Sequence, residues 1–238
     1  MLFRSAKGID VYIRINALPT DLAVDDIRDT VGSHLRGFVV PKIEGPEDVS
    51  RVEEILSPIE ANRESPGFEI LPLIESAIAV VRAFEIARAS PRIVALVFGA
   101  FDFTFDMRTN WSKEGTEYEF ARQKLPIDAR AAGVYAIDTV YPDLEDEEGL
   151  AKDSEVAKRL GYTGKTIIHP KQIAIVNSTF SPTKSELEWA RRVIDAYEPA
   201  LRQGKGAISL DGKLVDMVHY RRAQEILALD DQIGRAHV

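Results

Sequence analysis

The 238 residues contain no cysteine. That excludes disulfides, a thiolate nucleophile and a cysteine–zinc site. Positive charge is not in excess either: 30 Lys and Arg stand against 38 Asp and Glu, for a net charge of −8. The chain therefore carries no basic footprint for nucleic acid. Acidic metabolites stay open as partners, because local charge matters more than the sum. No apolar run is long enough to cross a membrane, and neither a signal peptide nor a low-complexity segment is present. No membrane partner is expected, and a cytoplasmic location is. Histidine is scarce, with four in the chain. No glycine-rich phosphate loop follows any candidate strand, which weakens a dinucleotide-binding reading.

What is present has one grammar. With 45% hydrophobic and 29% charged residues, the composition suits a soluble α/β domain with a real core. Short apolar runs alternate with amphipathic segments. The runs are DVYIRIN, GFVVPK, FEILPLIE, RIVALVFGAFD, VYAIDTV and KTIIHP. They read as strands ending at Arg14 and Asn16, Lys42, Glu75, Asp102, Asp138 and His169. Between them lie helical patterns: a polar segment through Leu22, Ile27, Val31 and Leu35, then PEDVSRVEEILSPIEA, SAIAVVRAFEIARAS, EYEFARQKLPIDARAAG and EEGLAKDSEVAKRLG. Pro126 reads as a kink, and Gly161 as the residue past a helix end. Strands apolar on both faces and alternating with helices mean a parallel sheet buried under helices.

Polar residues recur at the C-terminal ends of these strands. A (β/α) barrel sends such ends to one face, where its active site lies. A closed barrel has eight strands, and the series supplies six. The chain's ends bear on that count. IGRAHV and MLFRS both reverse-translate into one short-read sequencing adapter, read in opposite directions. Met1–Ser5 and Ile233–Val238 are accordingly expected to be library artefact, with no function for Arg235 or His237. The expected fold is a (β/α)8 TIM barrel lacking its first two strands. It occupies residues 6–180, followed by a C-terminal helix, hairpin and helix arm over 181–232. In that arm, Asp211-Gly212 is the turn of AISLDGKLVD.

Glu75 and Asp102 end neighbouring strands, so their carboxylates can converge. An all-oxygen site points to Mg²⁺, with Mn²⁺ as the alternative, rather than zinc. A chelating 2-oxo acid would fill the open coordination positions. The plainer alternative is that either acid caps the following helix. Arg14 has two readings as well: a partner for a substrate carboxylate or enolate oxygen, or an ordinary structural ion pair.

The ordered series RIN, VPK, LPLIES, VFGAFDF, EFARQK, AGVYAIDTVY, LGYTGKTIIHPKQIAIVNSTFSP and GAISLDGKLVDMVHYRRAQEIL resembles the citrate lyase β-subunit-like family. That family sits in the HpcH/HpaI aldolase/citrate lyase superfamily and includes citramalyl-CoA and malyl-CoA lyases. The resemblance spans Asp10 to Leu229. It implies a Mg²⁺-dependent carbon–carbon lyase on a (β/α)8 barrel, usually trimeric. Such an enzyme cleaves a 3-hydroxyacyl thioester, on CoA or an acyl carrier, to an acyl thioester and a 2-oxo acid. By the same resemblance Glu75 and Asp102 are the metal ligands, and Arg14 contacts thioester or oxo-acid oxygens. Asp216 is the acid/base, contributed across a subunit interface; by itself it reads as a turn aspartate of a hairpin.

The sequence also departs from the family pattern. Phe101 stands where the family commonly has a second acid. Asp106 fits a further downstream acid of supporting or solvated kind, and His169 reads as structural or pocket-lining. The family's acidic Asp-Leu-Glu-Asp segment on an early strand is absent. The rival readings are a malyl-CoA thioesterase, an aldolase of non-CoA hydroxy-oxo acids, and an inactive or regulatory fragment.

Overall fold

A computed structural model describes residues 10–18, 20–32, 35–61 and 67–236, without the side chains of Asp21 and 231–236. Met1–Ser5, His237 and Val238, expected to be artefact, lie outside the described residues. Among the described residues two compact units emerge, one over residues 10–176 and one over 177–236.

The first unit is built on six parallel strands in chain order: β1 (Val11–Arg14), β2 (Leu35–Val40), β3 (Glu69–Ile74), β4 (Ala95–Phe98), β5 (Tyr135–Asp138) and β6 (Gly164–Lys165). Each successive strand pairs with the one before it, as expected of a βαβ series whose crossovers all run the same way. Helices fill the crossovers: α1 (Asp21–Thr30), α2 (Pro46–Glu60), α3 (Ala77–Val81), α4 (Ala83–Ala87), α5 (Ala100–Asp106), α6 (Glu119–Ala132) and α7 (Glu147–Leu160). Their ends follow familiar chemistry. Pro46 opens α2 and two acids occupy its first turn. Gly133 and Gly161 close α6 and α7 in the left-handed conformation.

Strand register sorts side chains between the two faces of the sheet. Phe38, Val40, Ile70, Ile74, Leu96 and Phe98 are essentially fully buried. Phe98 meets Phe103 of α5 and Tyr118 at ring distances of 5.8 and 6.1 Å, which marks this as the helix-covered face. On the other face Leu71, Leu73, Ala95 and Val97 form a separate cluster with Tyr12, Val39 and Ile137. Both faces are apolar, which is why these strands read as continuous hydrophobic runs.

Four expectations change at element ends. The helix through Leu22 and Ile27 stops at Thr30, and Leu35 belongs to β2 instead. SAIAVVRAFEIARAS is two short helices broken at Arg82, whose guanidinium forks onto Glu47 at 2.7 and 2.9 Å. The strand expected to end at Asp102 ends at Phe98, and Asp102 lies in the first turn of α5. Apolar residues continue unbroken from strand to helix there, so periodicity gives no sign of the change. The last strand ends at Lys165 rather than His169. His169 instead caps a 3₁₀ turn, Pro170–Gln172, through its Nδ1 and the Lys171 amide at 3.1 Å.

From α8 (Ile173–Phe180) the chain passes into the second unit. Its α9 (Lys184–Arg202) starts in a capping box between Thr183 and Glu186. A hairpin follows, β7 (Ala207–Leu210) with β8 (Lys213–Asp216), and then α10 (Met217–Ala236). Asp211 and Gly212 form the expected two-residue turn, with φ of 53° and 75°. Positive φ at both positions is the turn whose twist matches a hairpin. Ala190, Val193, Tyr197, Val215, Ala223 and Ile226 make the core of this unit.

Candidate active site

Arg14 pairs in register with Val39, so it shares the face of the second cluster. Leu73 pairs with Val97, and alternation puts Glu75 on that face too, just past the end of β3. Glu75 is 4% exposed, and its Oε1 accepts the Lys42 backbone N–H at 3.0 Å. Lys42 itself holds a left-handed backbone, φ 55°. That conformation is uncommon outside glycine, asparagine and aspartate, and here it aims the amide at the acid.

Beside Glu75 lies Gly99, between β4 and α5. A Cβ on Gly99 would stand 2.8 Å from the Glu75 Cβ and 2.9 Å from its Oε2. The carboxylate thus fills the space a side chain at position 99 would need. Asp102 is exposed, on the first turn of α5. Burial pushes the Glu75 carboxyl above the usual carboxylate range, and the negative charge of Asp102 pushes it further. The Lys42 amide and the charges of Arg14 and Lys42 pull the other way without cancelling the rise. Two acids and one arginine named from the sequence therefore share an electrostatic neighbourhood. Among the described residues no group of three or more histidines or acids could hold a metal ion. A pair of carboxylates suits Mg²⁺, which is commonly held by one or two of them plus water and substrate oxygens. It does not suit zinc, whose sites take three or four nitrogen and sulfur ligands.

The neighbours of the pair are also placed. Asp106 Oδ2 accepts the Ala77 N–H at 2.7 Å, tying the last turn of α5 to the first turn of α3. Phe101 is partly exposed and stacks on Trp111, with centroids 5.3 Å apart and planes 20° from parallel. The Trp111 indole N–H is buried without a hydrogen-bond partner. His169 has its capping role and is not at a strand end.

Asp138 does not belong with the other strand-end acids. Val97 pairs with Ile137, so Asp138 shares the face of Phe98, beneath the helices. It is fully buried in an ionic network. Arg122 of α6 reaches its two oxygens at 3.0 and 2.7 Å, and Lys165 Nζ lies at 2.6 Å. Asp153 of α7 closes the set, 2.8 Å from Arg122 and 2.5 Å from Lys165. Two cations and two anions balance. Sequence reading misses this because the partners come from three further elements, and strand alternation alone cannot say which face is covered.

In the second unit Asp216 ends β8. Its Oδ1 accepts the Val218 and His219 amides at 3.0 and 3.3 Å and meets His219 Nδ1 at 2.8 Å. The His219 hydrogen bond holds the Asp216 carboxyl below its usual range. His219 goes unnoticed in the sequence, although its spacing from Asp216 at a helix start is the available signal.

Carboxylates gathered past the C-terminal ends of adjacent parallel strands, with an arginine on the same face, make this an α/β protein of the enzyme kind. The chain belongs to the HpcH/HpaI aldolase/citrate lyase family, whose model matches residues 1–170. It is 38% identical over 230 residues to citrate lyase subunit beta of Escherichia coli (strain K12), covering 96% of this chain and 76% of that one. It is 32% identical over 232 residues to mitochondrial citramalyl-CoA lyase of Rattus norvegicus, covering 93% and 69%. Among solved structures it is similar to the protein CitE of Mycobacterium tuberculosis in complex with magnesium, acetoacetate and coenzyme A. The TM-score there is 0.72 at 29% identity, over 95% of this chain and 78% of that one. The family resemblance read from the sequence is therefore borne out, and these two curated relatives are lyases by name.

No helix among the described residues is long and apolar enough to cross a membrane.

Proposed function

We propose that this chain is a magnesium-dependent carbon–carbon lyase of 3-hydroxyacyl thioesters. Its substrate would be a citramalyl, malyl or citryl thioester, on CoA or an acyl carrier. The products are an acyl thioester and a 2-oxo acid, and the reverse condensation uses the same site. The observation that carries this reading is the Glu75–Asp102 pair past the ends of β3 and β4, with Glu75 buried and Arg14 on the same face. The named relatives support the thioester class.

Glu75 and Asp102 would hold Mg²⁺, or Mn²⁺ in its place. When bound, the metal supplies Lewis acidity toward the carboxylate and carbonyl oxygens of the 2-oxo acid. Arg14 stabilises the thioester oxygen as it gains enolate charge. Asp216 exchanges the proton at the acyl carbon. Its carboxyl, held low by His219, stays ionised at neutral pH and accepts that proton in the condensation direction. In cleavage a base takes the substrate's hydroxyl proton as the carbon–carbon bond breaks, the bond's electron pair passes to the thioester enolate, and a proton reaches the acyl carbon through Asp216 once that carboxyl has been protonated. Asp216 would come from a neighbouring copy, which makes the working form a homotrimer in the cytoplasm, as the family resemblance implies. The six-strand series would be part of an eight-stranded barrel in that family.

The test is product analysis with citramalyl-CoA and malyl-CoA. The expected result is 2-oxo acid and acyl-CoA in equal amounts, lost on chelation and reduced about 1,000-fold or more in Glu75→Gln. Free CoA without 2-oxo acid would replace the lyase reading with a thioesterase. Undiminished turnover without Mg²⁺ would remove Glu75 and Asp102 from the role of ligands.

A further inference from the structure

Helix α5, which carries Asp102, begins at a position that cannot cap it. The N-cap residue is Gly99, and no side chain caps from there. Serine, threonine, aspartate and asparagine normally fill this position, because an oxygen there satisfies a free amide of the first turn. At position 99 any of them would drive a Cβ into Glu75. The buried acid therefore occupies the place of the cap.

The missing acceptor comes from another strand. Thr139, the residue after β5, is 3% exposed, and its Oγ1 accepts the Ala100 N–H at 3.1 Å. Ala100 is the first residue of α5 and is fully buried. A buried amide left without an acceptor is destabilising, so this bond is not incidental. Thr139 is itself held on a fixed support. Asp138, its neighbour, is locked by Arg122 and Lys165, and the Asp138 carbonyl accepts both the Thr166 amide and its hydroxyl at 2.9 and 3.0 Å.

We infer that Thr139 is a positioning residue for the metal-type pair. Its hydroxyl fixes the start of α5 and so the distance between Asp102 and Glu75. The structural ion network and the acid pair meet at this residue: one side of the Asp138–Thr139 dipeptide faces the charges under the helices, and the other supplies the cap. The inference rests on the proposal that Glu75 and Asp102 hold Mg²⁺.

The experiment is calorimetric titration of Mg²⁺ into the full chain, compared across four forms. Thr139→Val keeps the shape and loses the acceptor; Thr139→Ser keeps the acceptor and loses a methyl. Wild type should bind, and Glu75→Gln should not. Thr139→Val should weaken Mg²⁺ about 5–20-fold, while Thr139→Ser stays within about twofold, in keeping with a shell that orients metal ligands. Equal affinity in wild type and Thr139→Val, with Glu75→Gln still dead, overturns the role of Thr139 alone. Weakening by Ser but not by Val overturns it as well, since the methyl would then be the group that matters. No Mg²⁺ binding by wild type overturns the ligand assignment beneath it. Thermal unfolding of the same four forms checks that each variant is folded.

Discussion

Two clusters of charge lie on opposite faces of one sheet. Under the helices, Asp138, Asp153, Arg122 and Lys165 are paired anion to cation, with every contact between 2.5 and 3.0 Å. On the other face burial raises the Glu75 carboxyl above its usual range, and the charge of Asp102 adds to the rise. The first cluster is joined by direct ion pairs. In the second, Glu75 accepts the Lys42 amide, and Arg14 and the Lys42 side chain act on it only through their charge. Burial alone does not distinguish them, since Glu75 and Asp138 are both buried. Direct pairing does. A buried network in which every charge has an ion-pair partner is explained by folding, whereas two acids held near each other without such partners mark a candidate binding site.

The sharpest way to break this contrast is to unbalance the first cluster. Lys165→Ala would leave the buried Asp138 and the half-buried Asp153 sharing one arginine. Removing one member of a buried ion set costs about 3–5 kcal/mol. For a unit of this size the expected loss is roughly 10 °C in melting temperature. Thermal unfolding followed by circular dichroism measures it. A melting point close to wild type would mean that the network is not what holds β5 and β6 to α6 and α7.

Gly99→Ala probes the second cluster, with an intermediate effect. The backbone at Gly99 is unstrained, with φ −112°, so the substitution acts by collision rather than by conformation. Forcing a methyl against Glu75 should cost about 1–3 kcal/mol. The double variant Gly99→Ala with Glu75→Gly should show a smaller loss than the sum of the two single variants, since both atoms that the new methyl would meet, the Glu75 Cβ and Oε2, are then gone. Additive losses in urea unfolding would place the origin of the cost elsewhere.

How far the sequence carried depended on the kind of order involved. Five of the six strands were legible because burial on both faces leaves long apolar runs, and Glu75 and Arg14 stood out as charges at their ends; β6 is only Gly164–Lys165, outside the apolar part of KTIIHP. Asp102 was legible as a residue but not as a helical one, because VFGAF is apolar through the change of element. Asp138 looked the same as Glu75 from the sequence. What separates them is register, Ile74 with Phe98 against Val97 with Ile137, together with partners 15 to 27 residues away (Arg122 is 16 and Lys165 27 from Asp138). Thr139 and His219 act through hydrogen bonds, and a pattern of hydrophobicity carries no trace of those.

The smallest effect is the most direct reading of the imbalance. Glu75 has its acidity shifted upward from the ordinary value of 4.5 in the folded chain. The folded state therefore holds the proton more tightly than the unfolded state does. By linkage, stability falls as pH rises from the unfolded value through the folded one, and the full penalty applies above both. Glu75→Gln removes that penalty while keeping an oxygen for the Lys42 amide. Without metal, the variant should melt slightly higher than wild type at pH 7, and the gain should vanish at pH 4. Adding Mg²⁺ at pH 7 should invert the order, because a ligand bound only by the folded wild type raises its melting point. A variant that is less stable at both pH values would show that Glu75 is balanced after all, and the contrast between the two clusters would disappear.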